Sequence, residues 1–272
     1  MFLIDAHCHV NSDQLRADAL NVVRRAGEAG VMRLLTVGTD LTTSAEAVEM
    51  TRSLAFEGRV YATVGVHPHD AKSVAEGLPE SLLKSASEPR VVAIGETGLD
   101  YHYNHSPHDV QKKIFRLHVD WAVRAGKPLV IHVRGGQSHN AMSDALEILG
   151  NTPPKIPLMF HCYAGGIEYL DAMRELDAYL SFGGPVTWPK NGGLRQTVAR
   201  VPEDRLLCET DAPWLTPSPY RGKLNEPAHV RLVYEEIAKV RGIPTERLAL
   251  AVDANAARLF GWSSLYTESL LV

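Results

Sequence analysis

The chain has 272 residues, 45% of them hydrophobic and 22% charged, enough length and apolar content for a full core; a disordered, collagen-like or disulfide-stapled chain is excluded. Lys and Arg number 28 against 32 Asp and Glu, and the resulting net charge of −4 argues against a protein that coats nucleic acid by charge alone. It leaves room for an enzyme that takes a phosphodiester into a local pocket.

No apolar run approaches the length of a membrane span. The N-terminal MFLIDAHCHV has neither the basic start nor the long apolar stretch of a secretory signal. Three cysteines, an odd number, fit a reducing compartment, so a cytoplasmic protein is expected.

In chain order, short runs rich in Val, Ile and Leu predict strands at 3–9, 33–38, 60–66, 91–96, 129–133, 158–162, 179–183 and 206–210. Helical spacing predicts helices over 17–29, 43–55, 109–125, 140–149, 167–176 and 194–200, with two more at 227–241 and 246–260. Regular alternation of strand and helix implies right-handed parallel crossovers. Eight such units in roughly 250 residues match a closed (β/α)8 TIM-like barrel. An open doubly wound sheet is the competing architecture. The Pro-rich 213–219 reads as a rigid loop after the eighth strand rather than a linker, so residues 1–272 are expected to form one domain.

In such a barrel, reacting groups come from the C-terminal ends of strands. His7 and His9 share one face of the first strand, with Cys8 pointing the other way. Glu96 ends the fourth strand, His132 and His161 sit in the fifth and sixth, and Asp211 ends the eighth. Carboxylates inside apolar strands are rarely buried unless paired or bound to a cation. Six groups exceed what one tetrahedral site with an open position needs. They suit two divalent ions roughly 3.5–4 Å apart, bridged by a carboxylate and a water-derived hydroxide that serves as nucleophile. Glu96 is the expected bridge; His7, His9 and Asp211 would complete one ion, His132 and His161 the other. Mg, Mn and Zn are the candidate ions; the imidazole-rich set also admits Fe or Co, and Mg usually prefers oxygen ligands. Such a centre stays net positive and would draw an anionic substrate. Asp211 could also take a proton.

These segments resemble the TatD family of metal-dependent deoxyribonucleases. The resemblance rests on DAHCHV at the start, VGVHPH at 64–69, GETGLDYHY at 95–103, IHVRGG at 131–136, FHCYAGG at 160–166, ETDAPWLTP at 209–217, RGKLNEP at 221–227 and NAARLF at 255–260. It implies a TIM-like barrel, a two-metal site and 3′–5′ exonuclease or related DNase action. It places the family's metal ligands on His7, His9, Glu96, His132, His161 and Asp211, the set reached from spacing. Gly135, Gly136 and Gln137 depart from the family's usual IHxRxA, which bears on substrate preference rather than on the metals.

Phosphodiester cleavage also needs groups that hold flanking phosphates. His67, at the end of the third strand, is the expected catalytic and substrate-binding group; otherwise it is an ordinary loop histidine. Arg221, Lys223 and Lys190 lie in loops after the seventh and eighth strands and could contact phosphates or serve only solubility. Arg134 could contact substrate or close a salt bridge. Trp188, Trp214 and Tyr163 could stack bases or pack in the loops. Asp100 could hold a histidine ligand or simply belong to a turn. His102, His105 and His108 read as a solvated cluster, and Cys8, Cys162 and Cys208 as small buried groups.

The expected function is a two-metal 3′–5′ exonuclease on single-stranded or damaged DNA ends, with DNA as partner, no membrane and a monomer as one option. Hydrolysis of an ester, lactone, amide or aminoacyl bond is the alternative, since one barrel serves both. A Glu at the bridge, where many acyl hydrolases of such barrels use a modified lysine, favours phosphate. A binding protein that kept the barrel is the third reading, opposed by so many costly polar groups at one rim.

Overall fold

The computed structural model describes residues 1–53, 59–135, 140–150 and 155–268. Residues 54–55 of the expected second helix and Gly136 and Gln137 after the fifth strand lie outside the described residues. Eight parallel strands form one sheet in sequential order: β1 (Leu3–Cys8), β2 (Val31–Val37), β3 (Val60–Val64), β4 (Val91–Asp100), β5 (Leu129–Arg134), β6 (Leu158–Phe160), β7 (Tyr179–Phe182) and β8 (Leu206–Cys208). The sheet curls into a nearly closed TIM-type barrel. At the rim its first and last strands meet: the Asp211 amide donates to the His7 carbonyl at 2.9 Å and the His9 amide to that of Ala212 at 2.7 Å. The seam therefore brings His7, His9 and Asp211 together.

Helices cover the outside. They are α1 (Ala19–Glu28), α2 (Leu41–Arg52), α3 (Glu80–Ser85), α4 (His108–Ala125), α5 (Ala141–Gly150), α6 (Leu170–Glu175), α7 (Gly192–Arg200), α8 (Val230–Arg241), α9 (Thr245–Phe260) and the short α10 (Leu265–Glu268). Each longer one buries an apolar stripe; in α1, Ala19, Val22, Val23 and Ala26 recur at three- and four-residue spacing. At the start of α2, Asp40 accepts from the Thr43 amide while the Thr43 hydroxyl caps the Asp40 amide. No helix among the described residues is long and apolar enough to cross a membrane.

The structure departs from the sequence reading at boundaries. A 3-10 segment at Pro68–Val74 and α3 fill a stretch where no helix was expected; both are too short for a clear period. β4 runs on to Asp100, beyond the expected 96. β1, β6 and β8 end before His9, His161 and Glu209, so these groups stand on the rim just past their strands.

Two of the register irregularities fall where the polar groups emerge. Between Asp5 and Cys8, β1 spans three steps against two in β2, and between Ile94 and Thr97, β4 does the same against β5. Such bulges bend the strand and re-aim side chains. They sit at His7 and at Glu96. Gly98 (φ +137°) has a conformation that suits glycine, and a Cβ there would collide with the His132 carbonyl oxygen.

Candidate metal centre

The bulged strands turn their polar side chains toward one point above the barrel core. His7 and His9 Nε2 lie 3.1 Å apart. Cys8, between them, faces outward, its thiol donating to the Leu35 carbonyl. Glu96 is buried and its two oxygens face different groups. Oε2 lies 3.3 Å from His7 Nε2 and 3.6 Å from His9 Nε2. Oε1 lies 2.7 Å from His161 Nε2, 3.0 Å from His132 Nδ1 and 3.3 Å from His67 Nε2. Asp211 Oδ1 completes the first side, 3.4 Å from His9 and 3.7 Å from His7. The His7 and His161 rings stack at 3.9 Å and 8°, each presenting Nε2 to one oxygen of Glu96.

Among the described residues, three overlapping sets could hold a cation, the ligating atoms in each lying within 4.8 Å of one another: His7, His9 and Asp211; His7, Glu96 and His161; His67, Glu96 and His132. The donor chemistry fits. The His9 Nδ1–H donates to the Val37 carbonyl at 3.1 Å, and the His132 Nε2–H to Asp100 Oδ2 at 3.2 Å. Each bond fixes the tautomer whose free lone pair points inward. His67 is different. Its Nδ1 accepts from the His69 amide at 3.2 Å, so in its neutral form the proton sits on Nε2, facing Glu96.

Charge follows from this crowding. Burial opposes ionisation of Glu96, but the positive character of His161 and hydrogen bonds from His132 and His161 hold its carboxyl well below the usual range. Asp211 is likewise held low against its burial, chiefly through His9. Burial dominates at His67 and pushes its imidazole down to about 4. Two carboxylates are therefore charged at neutral pH beside a neutral His67.

Residues beneath and beside the centre carry roles that sequence reasoning left unassigned. Asp5 is fully buried, accepting from the Thr210 amide at 2.9 Å and the Thr210 hydroxyl at 2.5 Å. Glu209, also fully buried, accepts from the Cys162 amide at 2.6 Å and faces His161 Nδ1 at 3.7 Å. Both stand two residues before a rim group, Asp5 before His7 and Glu209 before Asp211, and a second acidic residue at that spacing is the signal that would have found them. His69 Nε2 lies 2.9 Å from Asp100 Oδ2, so one carboxylate ties His69 to His132.

The outlying candidates divide. Arg221, Lys190 and Lys223 are exposed on the rim and form no hydrogen bond or ion pair with the six central groups. The Arg221 guanidinium covers the Trp188 ring at 4.5 Å, and the Lys223 ammonium lies 5.7 Å from that of Tyr220. Arg134 covers the Tyr103 ring at 4.8 Å. Trp214 is 48% exposed, its ring edge-on to His9 at 5.0 Å. Tyr163 cannot stack a base: it is buried against Phe182, with its hydroxyl donating to the Gly166 carbonyl. His102 and His105 are exposed, and none of His102, His105 and His108 joins a cation set among the described residues.

The sequence profile of the family described as TatD related DNase matches residues 4–261. The chain belongs to the TatD family. Within it, the chain is 39% identical over 259 residues to an uncharacterized metal-dependent hydrolase, YabD, of Bacillus subtilis, covering 95% of this chain and 98% of that one. It is 34% identical to a TatD of Pantoea ananatis named a 3′-5′ ssDNA/RNA exonuclease, covering 95% of this chain and 99% of the relative. The crystal structure of YjjV, a TatD homolog from Escherichia coli K12, superposes with a TM-score of 0.84 at 24% identity, over 96% of this chain and 98% of that one, and shows the same fold. As a TatD-family protein the chain is a metal-dependent hydrolase.

Proposed function

We propose that this TatD-family hydrolase holds two divalent ions and removes nucleotides from the 3′ end of single-stranded DNA. The observation that carries the reading is Glu96, whose oxygens face two separate groups of imidazoles. His7, His9 and Asp211 would hold one ion, His132 and His161 the other, and Glu96 both. Bound there, the ions supply Lewis-acid charge and a water of lowered pKa. The name of the Pantoea ananatis relative supports a nucleic acid end as substrate.

The chain's own groups divide the remaining work. Asp211, ionised at neutral pH, offers an acceptor for the proton of the attacking water. His67, neutral with its proton on Nε2 beside Glu96, is a hydrogen-bond donor rather than a ligand, and would offer that donor to a phosphate oxygen held at the centre. Asp100 holds the His132 ring so that Nδ1 points inward. Arg221, Lys190 and Lys223 carry no carboxylate partner among the described residues and stand ready for flanking phosphates.

The test is a time course on end-labelled single-stranded DNA with Mg, Mn or Zn, and with EDTA. A metal-dependent ladder shortened from the 3′ end is the expected result. Intact DNA from protein with bound metal would overturn the reading in favour of acyl-bond hydrolysis.

A further inference from the structure

The rim around the metal centre is electrically lopsided. On the β1 and β2 side lies a cavity of about 480 Å³, within the range of ligand pockets, roughly 300–1,000 Å³. Its inner wall is His9 and the exposed ring of Trp214. Its outer wall carries Asp13, Asp40 and Glu46 against one cation, Arg16, which is paired with both Asp13 and Glu46. Three carboxylates and one guanidinium leave that wall at a net −2. On the β6 and β7 side a second cavity, about 560 Å³, is lined by Cys162, next to His161, and holds one cation, Lys190, and one acid, Glu168. Arg221 and Lys223 follow β8 with no carboxylate partner among the described residues.

We infer that the Trp214 cavity receives the terminal nucleoside of the strand, while the chain's remaining phosphates leave over the β7 and β8 loops. This rests on the nuclease reading above and assigns the strand's two directions. An exposed indole beside His9 is a stacking platform for any base. The wall beyond it suits an uncharged nucleoside and opposes a further phosphate, because like charges placed side by side repel. A strand that continued through the cavity would carry its next phosphate against Asp13, Asp40 and Glu46. The arrangement therefore favours removal of a terminal nucleotide over internal cleavage, and a terminal hydroxyl over a terminal phosphate.

The experiment has two arms on the metal-loaded protein. In the first, hydrolysis of an oligonucleotide ending in a 3′-hydroxyl is compared with the same strand ending in a 3′-phosphate. The expected result is a rate roughly tenfold lower on the phosphate end. Asp40→Asn, which keeps an oxygen to cap α2, should narrow that ratio. In the second arm, tryptophan fluorescence is titrated with thymidine 5′-monophosphate and with thymidine 3′,5′-bisphosphate. The monophosphate should quench more tightly than the bisphosphate, and Trp214→Phe should abolish the quench. Equal rates on both ends, or a quench that survives Trp214→Phe, would overturn the inference while leaving the nuclease reading in place. Absence of DNA cleavage with a quench that depends on Trp214 would remove the nuclease reading and keep the nucleoside site.

Discussion

Two adjoining parts of one barrel wall treat their side chains differently. β2 and β3 run in unbroken register, from Leu34 opposite Val60 to Val37 opposite Thr63. Leu34, Leu35 and Val37 on β2 are buried, and β2 and β3 supply none of the six central groups. β4 takes an extra residue against β5 just where Glu96 emerges, and a glycine lets the strand pass close to His132. The regular pair contributes burial, and the irregular pair contributes aim. An apolar strand in register hides its side chains in fixed alternation, whereas a bulge breaks that alternation and can turn a costly carboxylate toward partners.

That contrast breaks most sharply at Glu96. Glu96→Gln keeps the shape and removes the charge shared by five imidazoles. Turnover on DNA should fall by about 10³-fold or more, and elemental analysis should show less metal per chain. In the regular pair the opposite is expected. Leu35→Ala should cost roughly 2–5 kcal/mol of stability in urea unfolding, with metal content per folded chain unchanged.

His118 on α4 sharpens the comparison through pH. It is buried, its Nδ1–H donates to the Ile114 carbonyl, and its Nε2 accepts the Val66 amide just before His67. Burial pushes its imidazole down from 6.5 to about 4. As pH falls below 6.5 the unfolded chain binds a proton there that the folded chain refuses, so stability present at neutral pH is lost on acidification. Between pH 7 and pH 5 this should remove about 2 kcal/mol, and His118→Gln should lack that part of the slope in paired urea titrations.

An effect smaller than that of Glu96→Gln is expected at Asp100. Asp100→Asn leaves the fold but loosens the hold on His132 Nε2. Metal affinity measured by competition with a chelator should drop by roughly 10–100-fold. An unchanged affinity would mean that packing alone orients the ring.

Much of this was legible in the chain. Short apolar runs alternating with helical spacing are local patterns, so the order of eight strands and the long helices follow from them. His7, His9, Glu96, His132, His161 and Asp211 stand out because polar groups in apolar strands are costly anywhere in the fold. The sharing of Glu96 was not legible in the same way: which oxygen meets which ring depends on two bulges and on groups brought together from across the barrel. Spacing set His67 apart from the metal groups, yet it approaches the same oxygen as His132 and His161, and only the His69 amide on its Nδ1 distinguishes its role. Tyr163 shows the reverse: its rim position suggested a stacking surface, and packing on Phe182 buried it.

The sequence by itself determined the strand-and-helix alternation and the identity of the costly polar groups, because period and composition act over a few residues. The tertiary structure decided the tautomers, the two faces of Glu96, the partners of Asp5 and Glu209, and the split between an acidic and a basic flank of the rim. Each of those depends on contacts between strands or loops well separated in the chain, and such contacts exist only once the barrel has closed.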